Sequence, residues 1–280
     1  MKIAVHQMCS TTDPDNNVRN MEYAVRESAK SGAVMYFAPE MSILIDRNRN
    51  RAGSHIVSEA DSQHIRVLSK AAKDAGIWVH CGSVPVLHDN SGEHHGGKCA
   101  NRSLLFGPDG QVRARYDKMH LFDVNLSSGE SWRESAAYAG GASPVIVDTP
   151  LGLMGLTICY DLRFPELYSA LIRSAVDIIT VPAAFTVPTG TAHWHTLLKA
   201  RAIEAEAFVV AAAQSGEHED GRLTYGHSLV VDPWGNVLLD MGEGEGLAFA
   251  ELDSNRLAEV RSQIPVHRNR REITMPVRLY

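Results

Sequence analysis

Short apolar strands alternate with amphipathic helices along most of this chain, and this pattern is its strongest constraint on the fold. Segments 33–37 and 208–213 lack the alternation of polar and apolar residues that a half-exposed strand shows. Such strands need cover on both faces. The pattern therefore predicts an α/β chain with helices packed against its sheets.

Helix ends can be predicted from capping residues. Asp13 and Pro14 are typical of an N-cap and a first helical position, and Gly32 is typical of the residue after a helix. A second helix around residues 65–75 is expected to close at Gly76. Further helices are predicted over 165–174, 192–205 and from 253 to about 262.

Three turn signals join neighbouring strands as hairpins. They lie at residues 107–110, around 150–152 and at 232–236. A single strand is expected over 77–84. Hairpins among βαβ units predict sheets that mix parallel and antiparallel pairs.

Composition excludes several classes of protein. Lys plus Arg is 27 and Asp plus Glu is 33, which gives a net charge of −6, and 44% of residues are hydrophobic. These values are typical of a globular chain and not of a disordered one. The net charge argues against nucleic acid as a partner, and no apolar run is long enough to span a membrane. The first residues do not resemble a signal peptide, so we expect a cytoplasmic protein.

The cysteine and histidine patterns predict no metal site. Cys9, Cys81, Cys99 and Cys159 contain no Cys-x-x-Cys pair, and the His-rich loop from His88 to Cys99, with His94 and His95, fits no zinc spacing. His193 and His195 point to different faces of a helix. For these two and His227, packing or hydrogen-bonding roles are favoured.

Three reactive side chains stand where strands end. Glu40 follows segment 33–37, where desolvation is expected to raise its pKa toward that of a general base. Lys118 follows a hairpin strand, and Cys159 follows segment 153–158 just before a predicted helix start, which favours the thiolate. Taken singly, Glu40 and Lys118 could be solvated side chains and Cys159 an inert buried thiol. His120 and Asp123 could be a catalytic pair or a loop brace.

Together, Glu40, Lys118 and Cys159 resemble the Glu, Lys and Cys that the nitrilase superfamily of carbon–nitrogen hydrolases carries in this chain order. The resemblance covers essentially the whole chain and is closest to the branch of deaminated-glutathione amidases and ω-amidases. The segments that carry it are 118–124, 160–167, 184–194, 201–204, 225–228 and 231–235. Loop 88–99 and the tail after about residue 265 fit it less well.

This resemblance implies a reaction and its residues. Cys159 is the expected nucleophile, Glu40 the general base, and Glu134 a second acid that orients Lys118 or the substrate. Lys118 and the backbone N–H of Tyr160 are expected to stabilise the oxyanion. The products are an acid and ammonia, formed through a thioester with no metal or organic cofactor.

Substrate specificity is expected to rest on Arg163, Phe185 and Thr189. In the resembled branch the arginine helps to bind the acidic end of an amide such as α-ketoglutaramate, and the other two positions line the pocket. Arg163 could instead cap a nearby carbonyl. An N-carbamoyl amino acid or an aliphatic amide stays open as the substrate, and a non-catalytic binding module is a further alternative.

The fold implied is a four-layer αββα sandwich, with two mixed sheets between helical layers. We expect one domain over residues 1–280, with a C-terminal tail from about 265. The resemblance also implies a homodimer or a higher homo-oligomer. Trp194, Leu197 and Leu198 could face that interface or belong to the core.

Overall fold

The fold is described by a computed structural model that covers residues 1–88, 97–125, 129, 131–273 and 278. The first sheet and its flanking segments contain the strands β1 (Lys2–Gln7), β2 (Met35–Phe37), β3 (Trp78–His80), β4 (Val84–Leu87), β5 (Cys99–Phe106), β6 (Val112–Asp117), β7 (Asp123–Asn125) and β8 (Ser131–Arg133). The remaining strands are β9 (Val145–Thr149), β10 (Gly152–Leu156), β11 (Ile178–Thr180), β12 (Phe208–Ala211), β13 (Ser215–Glu217), β14 (Leu223–Tyr225), β15 (Leu229–Val231), β16 (Val237–Asp240) and β17 (Gly246–Glu251).

The helices lie between and after these strands. They are α1 (Pro14–Lys30), α2 (Arg49–Gly53), α3 (Gln63–Ala75), α4 (Pro165–Arg173), α5 (Val187–Ala205), α6 (Ser254–Gln263) and α7 (Val266–Asn269), with short 3-10 helices at Glu134–Ala136 and Cys159–Arg163. No helix in the described part of the chain combines the length and hydropathy needed to cross a bilayer.

Two large sheets form the centre of the molecule. The first has the order β17-β1-β2-β3-β5-β4, with β6 added beside β5, and the second has the order β16-β15-β12-β11-β10-β9. Strands β1, β2 and β3 are parallel, whereas β17 runs antiparallel to β1. In the second sheet β10, β11 and β12 are parallel, whereas β9 runs antiparallel to β10 and β15 antiparallel to β12. Both sheets are therefore mixed, as the sequence predicted.

Alternate residues of β2 show how the layers stack. Met35 and Phe37 join the core shared with Leu156 of the second sheet, whereas Tyr36 joins the cluster formed with Met21 of α1 and Leu68 of α3. On the other side, α4 and α5 pack on the second sheet. The result is the predicted four-layer αββα sandwich.

The predicted helix caps are present. Asp13 accepts a hydrogen bond from the Asp15 N–H (2.9 Å), with Pro14 at the start of α1, and Gly76 closes α3 with φ of 66°. Helix α5 begins at Val187 instead of the predicted residue 192, because Pro188 is placed in its first turn. Trp194 and Leu198 of α5 are fully buried in the core of this chain, and Leu197 packs against it.

The expected strand over 77–84 is wrong, because it is broken between β3 and β4. Gly82 adopts φ of 66°, and a Cβ atom there would lie 1.9 Å from the carbonyl oxygen of Pro39. The Ser83 N–H then donates to that same oxygen (3.2 Å). This close approach holds the loop that carries Glu40 against the end of the first sheet.

Replacing Gly82 with alanine should destabilise the protein by about 3 kcal/mol or more, since the new methyl group meets backbone atoms that cannot move freely. Urea unfolding followed by circular dichroism measures the effect. Gly32→Ala is the matched control: its φ is also positive, at 79°, but nothing lies within 4 Å of the added atom. It should cost only about 1 kcal/mol. Equal losses in the two variants would contradict the close contact at Gly82.

Candidate active site

Glu40, Lys118 and Cys159 come from different strands and meet in one buried cluster. Glu40 follows β2, Lys118 directly follows β6, and Cys159 follows β10, so the cluster lies where the two sheets face each other. Their exposed fractions are 4%, 2% and 8%. The Lys118 ammonium donates to Glu40 Oε1 (2.8 Å), and the charges of Glu40 and Lys118 both act on the Cys159 thiol.

Glu134 completes the polar cluster from the segment after β8. The Lys118 ammonium donates to both of its carboxylate oxygens, at 2.9 and 3.1 Å. Glu134 Oε2 also accepts the backbone N–H of Phe122 (2.6 Å), which fixes the carboxylate in place. Lys118 is thus held between two carboxylates.

Burial and charge together set the protonation of the cluster. Burial alone would raise the pKa of Glu40, but the charge and hydrogen bond of Lys118 hold it below its ordinary value. Burial would lower the pKa of Lys118, yet the charges of Glu134 and Glu40 raise it well above its usual range. The predicted upward shift of Glu40 is therefore wrong, because the neighbouring cation outweighs desolvation.

Cys159 is also protonated in the resting site. Burial, followed by the charge of Glu40, raises the pKa of its thiol well above the ordinary value. The preference for thiolate expected from the nearby helix start is therefore wrong. A protonated thiol therefore lies near an ionised carboxylate.

Two of the five non-glycine residues with a positive φ in the described part of the chain lie at this cluster. Cys159 has φ of 46°, and Met41, the residue after Glu40, has φ of 54°; both are left-handed values that side chains other than glycine rarely adopt. The Cys159 N–H donates to the Pro182 carbonyl (2.9 Å), which holds this geometry. Tyr160 is the second residue of the 3-10 helix that begins at Cys159. A backbone N–H in the first turn of a helix has no partner within that helix.

Asp161 is a buried residue that the sequence analysis missed. Its Oδ2 accepts the Ile158 N–H (2.9 Å) and the Tyr116 hydroxyl (2.6 Å), and its Oδ1 accepts the backbone N–H (3.0 Å) and the ring nitrogen (2.7 Å) of His120. It therefore fixes the turn at Cys159 to the segment that carries Lys118. The possible His120–Asp123 pair is wrong, because His120 bonds to Asp161; His120 is a loop brace.

Asn101 and Gln214 are two further missed residues that position Glu40. The Asn101 amide donates to Glu40 Oε1 (2.9 Å), and the Ala184 N–H donates to Glu40 Oε2 (2.9 Å). The Gln214 amide donates to the Glu40 carbonyl (2.9 Å) and to the Ser10 hydroxyl (2.7 Å). Only the folded chain reveals these contacts, since the sequence gives no spacing signal for them.

A cavity of about 580 Å³ opens beside the cluster. Glu40, Lys118, Glu134 and Cys159 line it, and so do the three predicted substrate residues Arg163, Phe185 and Thr189. Tyr160 is not among the lining residues, and its ring packs edge-on against Phe122, with centroids 5.1 Å apart. Any role of Tyr160 toward a ligand would therefore use its backbone.

Arg163 has no carboxylate partner among the described residues. Its guanidinium contacts the His193 ring nitrogen (3.2 Å) and lies 5.4 Å from the centroid of the Phe185 ring. The Thr189 hydroxyl contacts the Thr186 hydroxyl (2.8 Å). Arg163 thus presents a charge in the cavity that its neighbours do not neutralise.

Arginines account for most of the charged side chains in the described cavity wall. In addition to Lys118, the cationic lining residues are Arg47, Arg49, Arg133, Arg163 and Arg222, whereas Glu40, Asp46 and Glu134 are the only carboxylates among the described lining residues. The guanidiniums of Arg47 and Arg222 stack on Trp132, 4.6 and 4.9 Å from its ring centroid. In a chain with a net charge of −6, this cavity is a local site of positive charge.

Comparison with known proteins gives a consistent result. The sequence profile of the carbon–nitrogen hydrolase family matches residues 2–262. A Bos taurus protein named deaminated glutathione amidase is 39% identical over 271 residues, which cover 96% of this chain and 81% of the relative.

Solved structures agree with the sequence match. The C. elegans NitFhit protein has a TM-score of 0.87 and 36% identity, over 96% of this chain and 65% of that longer chain. Saccharomyces cerevisiae Nit3, a member of branch 10 of the nitrilase superfamily, has a TM-score of 0.84 and 28% identity, over 95% of this chain and 94% of its own. The fold and the family predicted from the sequence are confirmed: the chain belongs to the carbon–nitrogen hydrolase family.

Proposed function

We propose that this chain is a thiol-dependent amidase that hydrolyses the amide of deaminated glutathione or a close acidic analogue. The observation that carries the proposal is the Cys159 thiol, which lies with Glu40 and Lys118 in the wall of a cavity that also carries five arginines. The relatives named deaminated glutathione amidase support the same substrate class.

The reaction begins with proton transfer inside the cluster. Glu40 takes the thiol proton as Cys159 Sγ forms a bond to the amide carbon. The carbonyl oxygen becomes an oxyanion, which Lys118 and the Tyr160 N–H stabilise. Lys118 suits this role because it is a buried cation, and two carboxylates keep it protonated.

Collapse of the tetrahedral intermediate breaks the carbon–nitrogen bond. Glu40 returns its proton to the leaving nitrogen, which departs as ammonia from a primary amide and as an amine from a substituted one. Glu40 then takes a proton from water, whose oxygen attacks the thioester and releases the acid and the Cys159 thiol. Glu134 acts as a positioning residue, since it binds Lys118 and the Phe122 backbone.

The cavity supports an acidic substrate that is longer than α-ketoglutaramate. Its volume of about 580 Å³ falls in the range typical of sites for drug-sized ligands, about 300–1,000 Å³. Deaminated glutathione has a carboxylate at each end of the molecule. In this proposal Arg163, which lines the cavity, binds the keto-acid end, and the pair of arginines on Trp132 supplies a second cationic group for the other end.

Three finer expectations from the sequence stay predictions: a homodimer or higher homo-oligomer, a cytoplasmic location, and a single domain over residues 1–280.

The direct test is a panel of deaminated glutathione, α-ketoglutaramate, N-carbamoyl-β-alanine and a simple nitrile. We expect the highest kcat/KM for deaminated glutathione, measured from release of both ammonia and amine. Cys159→Ala should lower the rate by at least about 10³-fold, because the nucleophile is removed. Activity that survives in this variant, or a preference for the N-carbamoyl compound, would contradict the proposal.

The pH profile should report the shifted pKa values of the cluster. The pKa of Glu40 lies below its ordinary 4.5 and that of Cys159 above its ordinary 9.0, so the reactive pair keeps its single proton on sulfur between these values. We therefore expect kcat/KM for a neutral amide to be flat from about pH 6 to about pH 8. Activity should fall only when Glu40 is protonated at more acidic pH. A bell-shaped profile with limbs inside this range, in protein that circular dichroism shows to be folded, would be inconsistent with these assignments.

Two arginines should affect different substrates. Arg163→Lys should raise KM about tenfold or more for every acidic amide and much less for a neutral one, because a bidentate carboxylate contact is lost. Arg47→Gln should raise KM for deaminated glutathione but leave KM for α-ketoglutaramate almost unchanged. Arg47 is exposed, so the variant is expected to fold normally. Equal effects of Arg47→Gln on the two substrates would argue against the second cationic group.

A further inference from the structure

Three side chains converge on the surface at a place that the catalytic cavity does not include. His195 lies on α5, His227 precedes β15, and Asp240 ends β16; none of them is among the residues that line the cavity. His195 Nε2 lies 2.9 Å from Asp240 Oδ2, and His227 Nδ1 lies 2.9 Å from Asp240 Oδ1. The sequence analysis favoured packing or hydrogen-bonding roles for these histidines and predicted no metal site, but it did not group them with Asp240.

The distances fit a metal ion bound among the three groups. One potential ligand atom from each residue lies within 4.8 Å of the other two. Zinc binds histidine nitrogen at about 2.0–2.1 Å and carboxylate oxygen at about 2.0–2.2 Å, so tetrahedral ligand atoms lie roughly 3–3.5 Å apart. Small side-chain rotations would bring these three atoms to that spacing.

The surrounding backbone holds two of the ligands in place. The His227 N–H donates to the Gly242 carbonyl (2.7 Å), and the Gly242 N–H donates in turn to Asp240 Oδ1 (2.9 Å). The His227 ring also stacks on Tyr225, with centroids 4.4 Å apart. Such outer contacts orient ligands and reduce the entropy lost on metal binding.

The cluster is also open to solvent on one side. The exposed fractions of the His195, His227 and Asp240 side chains are 35%, 23% and 34%. A bound ion could therefore keep water in its fourth position. Two neutral imidazoles and one carboxylate are a ligand set that zinc and neighbouring divalent transition metals accept.

We propose that His195, His227 and Asp240 form a binding site for a divalent transition-metal ion, with zinc as the best fit, separate from the amide-hydrolysis site. The ion would join α5 to the hairpin of β15 and β16. Trp194, the neighbour of His195, donates its indole N–H to the His227 carbonyl (2.8 Å) and packs on Phe185 of the catalytic cavity, with ring centroids 4.7 Å apart. Metal binding would therefore stabilise a helix that supports the cavity wall.

The test measures zinc binding in the Cys159→Ala background, which removes the active-site thiol as a competing ligand. Isothermal titration calorimetry should give one Zn²⁺ per chain, and the thermal midpoint should rise with Zn²⁺ concentration. Asp240→Asn and His195→Gln should each weaken binding at least about tenfold, because each removes one ligand of three. Addition of Co²⁺ should give a visible spectrum without a thiolate charge-transfer band.

His64→Gln is the matched control. His64 Nε2 also bonds to a surface carboxylate, that of Asp15 (2.8 Å), but among the described residues no third His, Cys, Asp or Glu offers a ligand atom within 4.8 Å of both. Zinc affinity should not change in this variant. His94→Gln and His95→Gln address the two histidines of the 88–99 loop that lie outside the described residues.

Three results would overturn the proposal: no zinc binding, binding unchanged by Asp240→Asn and His195→Gln, or binding lost only in His94→Gln or His95→Gln. If Asp240→Asn or His195→Gln fails to fold, chemical modification of the histidines in the protein without these substitutions provides a second measurement. Zn²⁺ should protect His195 and His227 from diethyl pyrocarbonate, read by peptide mass spectrometry, while His64 stays reactive. Equal modification with and without Zn²⁺ would also overturn it.

Discussion

The buried ion pairs of Lys118 are the interaction on which the rest of the site depends. A cation that is only 2% exposed is costly to bury unless carboxylates surround it, and Glu40 and Glu134 meet that requirement at 2.8 and 2.9 Å. The same ion pairs keep Glu40 ionised, and ionised Glu40 keeps the proton on Cys159. The stability of the fold and the proposed chemistry therefore require the same arrangement. Loss of either carboxylate would leave the buried charge of Lys118 without enough negative charge beside it.

Sequence patterns predicted the parts of this arrangement that depend on local structure. Strands without alternating polar and apolar residues indicated sheets that are covered on both faces, and the Asp13-Pro14 pair predicted the start of α1. Glu40, Lys118 and Cys159 were identified because each follows a strand and because their order resembles a known family. Their proximity was an expectation of that resemblance, and the 2.8 Å contact of Glu40 with Lys118 is a property of the folded chain.

What the sequence did not predict depends on contacts between distant segments. The sequence analysis gave Asp161 no role of its own, yet Asp161 accepts hydrogen bonds from Ile158, Tyr116 and His120. The pKa shifts of Glu40 and Cys159 were predicted with the wrong sign, because burial and a helix start were considered without the charges that surround them. Likewise, the break at Gly82 follows from the carbonyl of Pro39, which no local pattern reveals.

The division of the cluster between two sheets has a consequence for the newly made protein. Glu40 and Lys118 follow strands of the first sheet, Cys159 follows a strand of the second, and Gln214 ties the Glu40 loop to the second half of the chain. A chain with only one ordered sheet would separate the Cys159 sulfur from the Glu40 carboxylate. The cluster therefore exists only once both sheets have assembled and packed on each other.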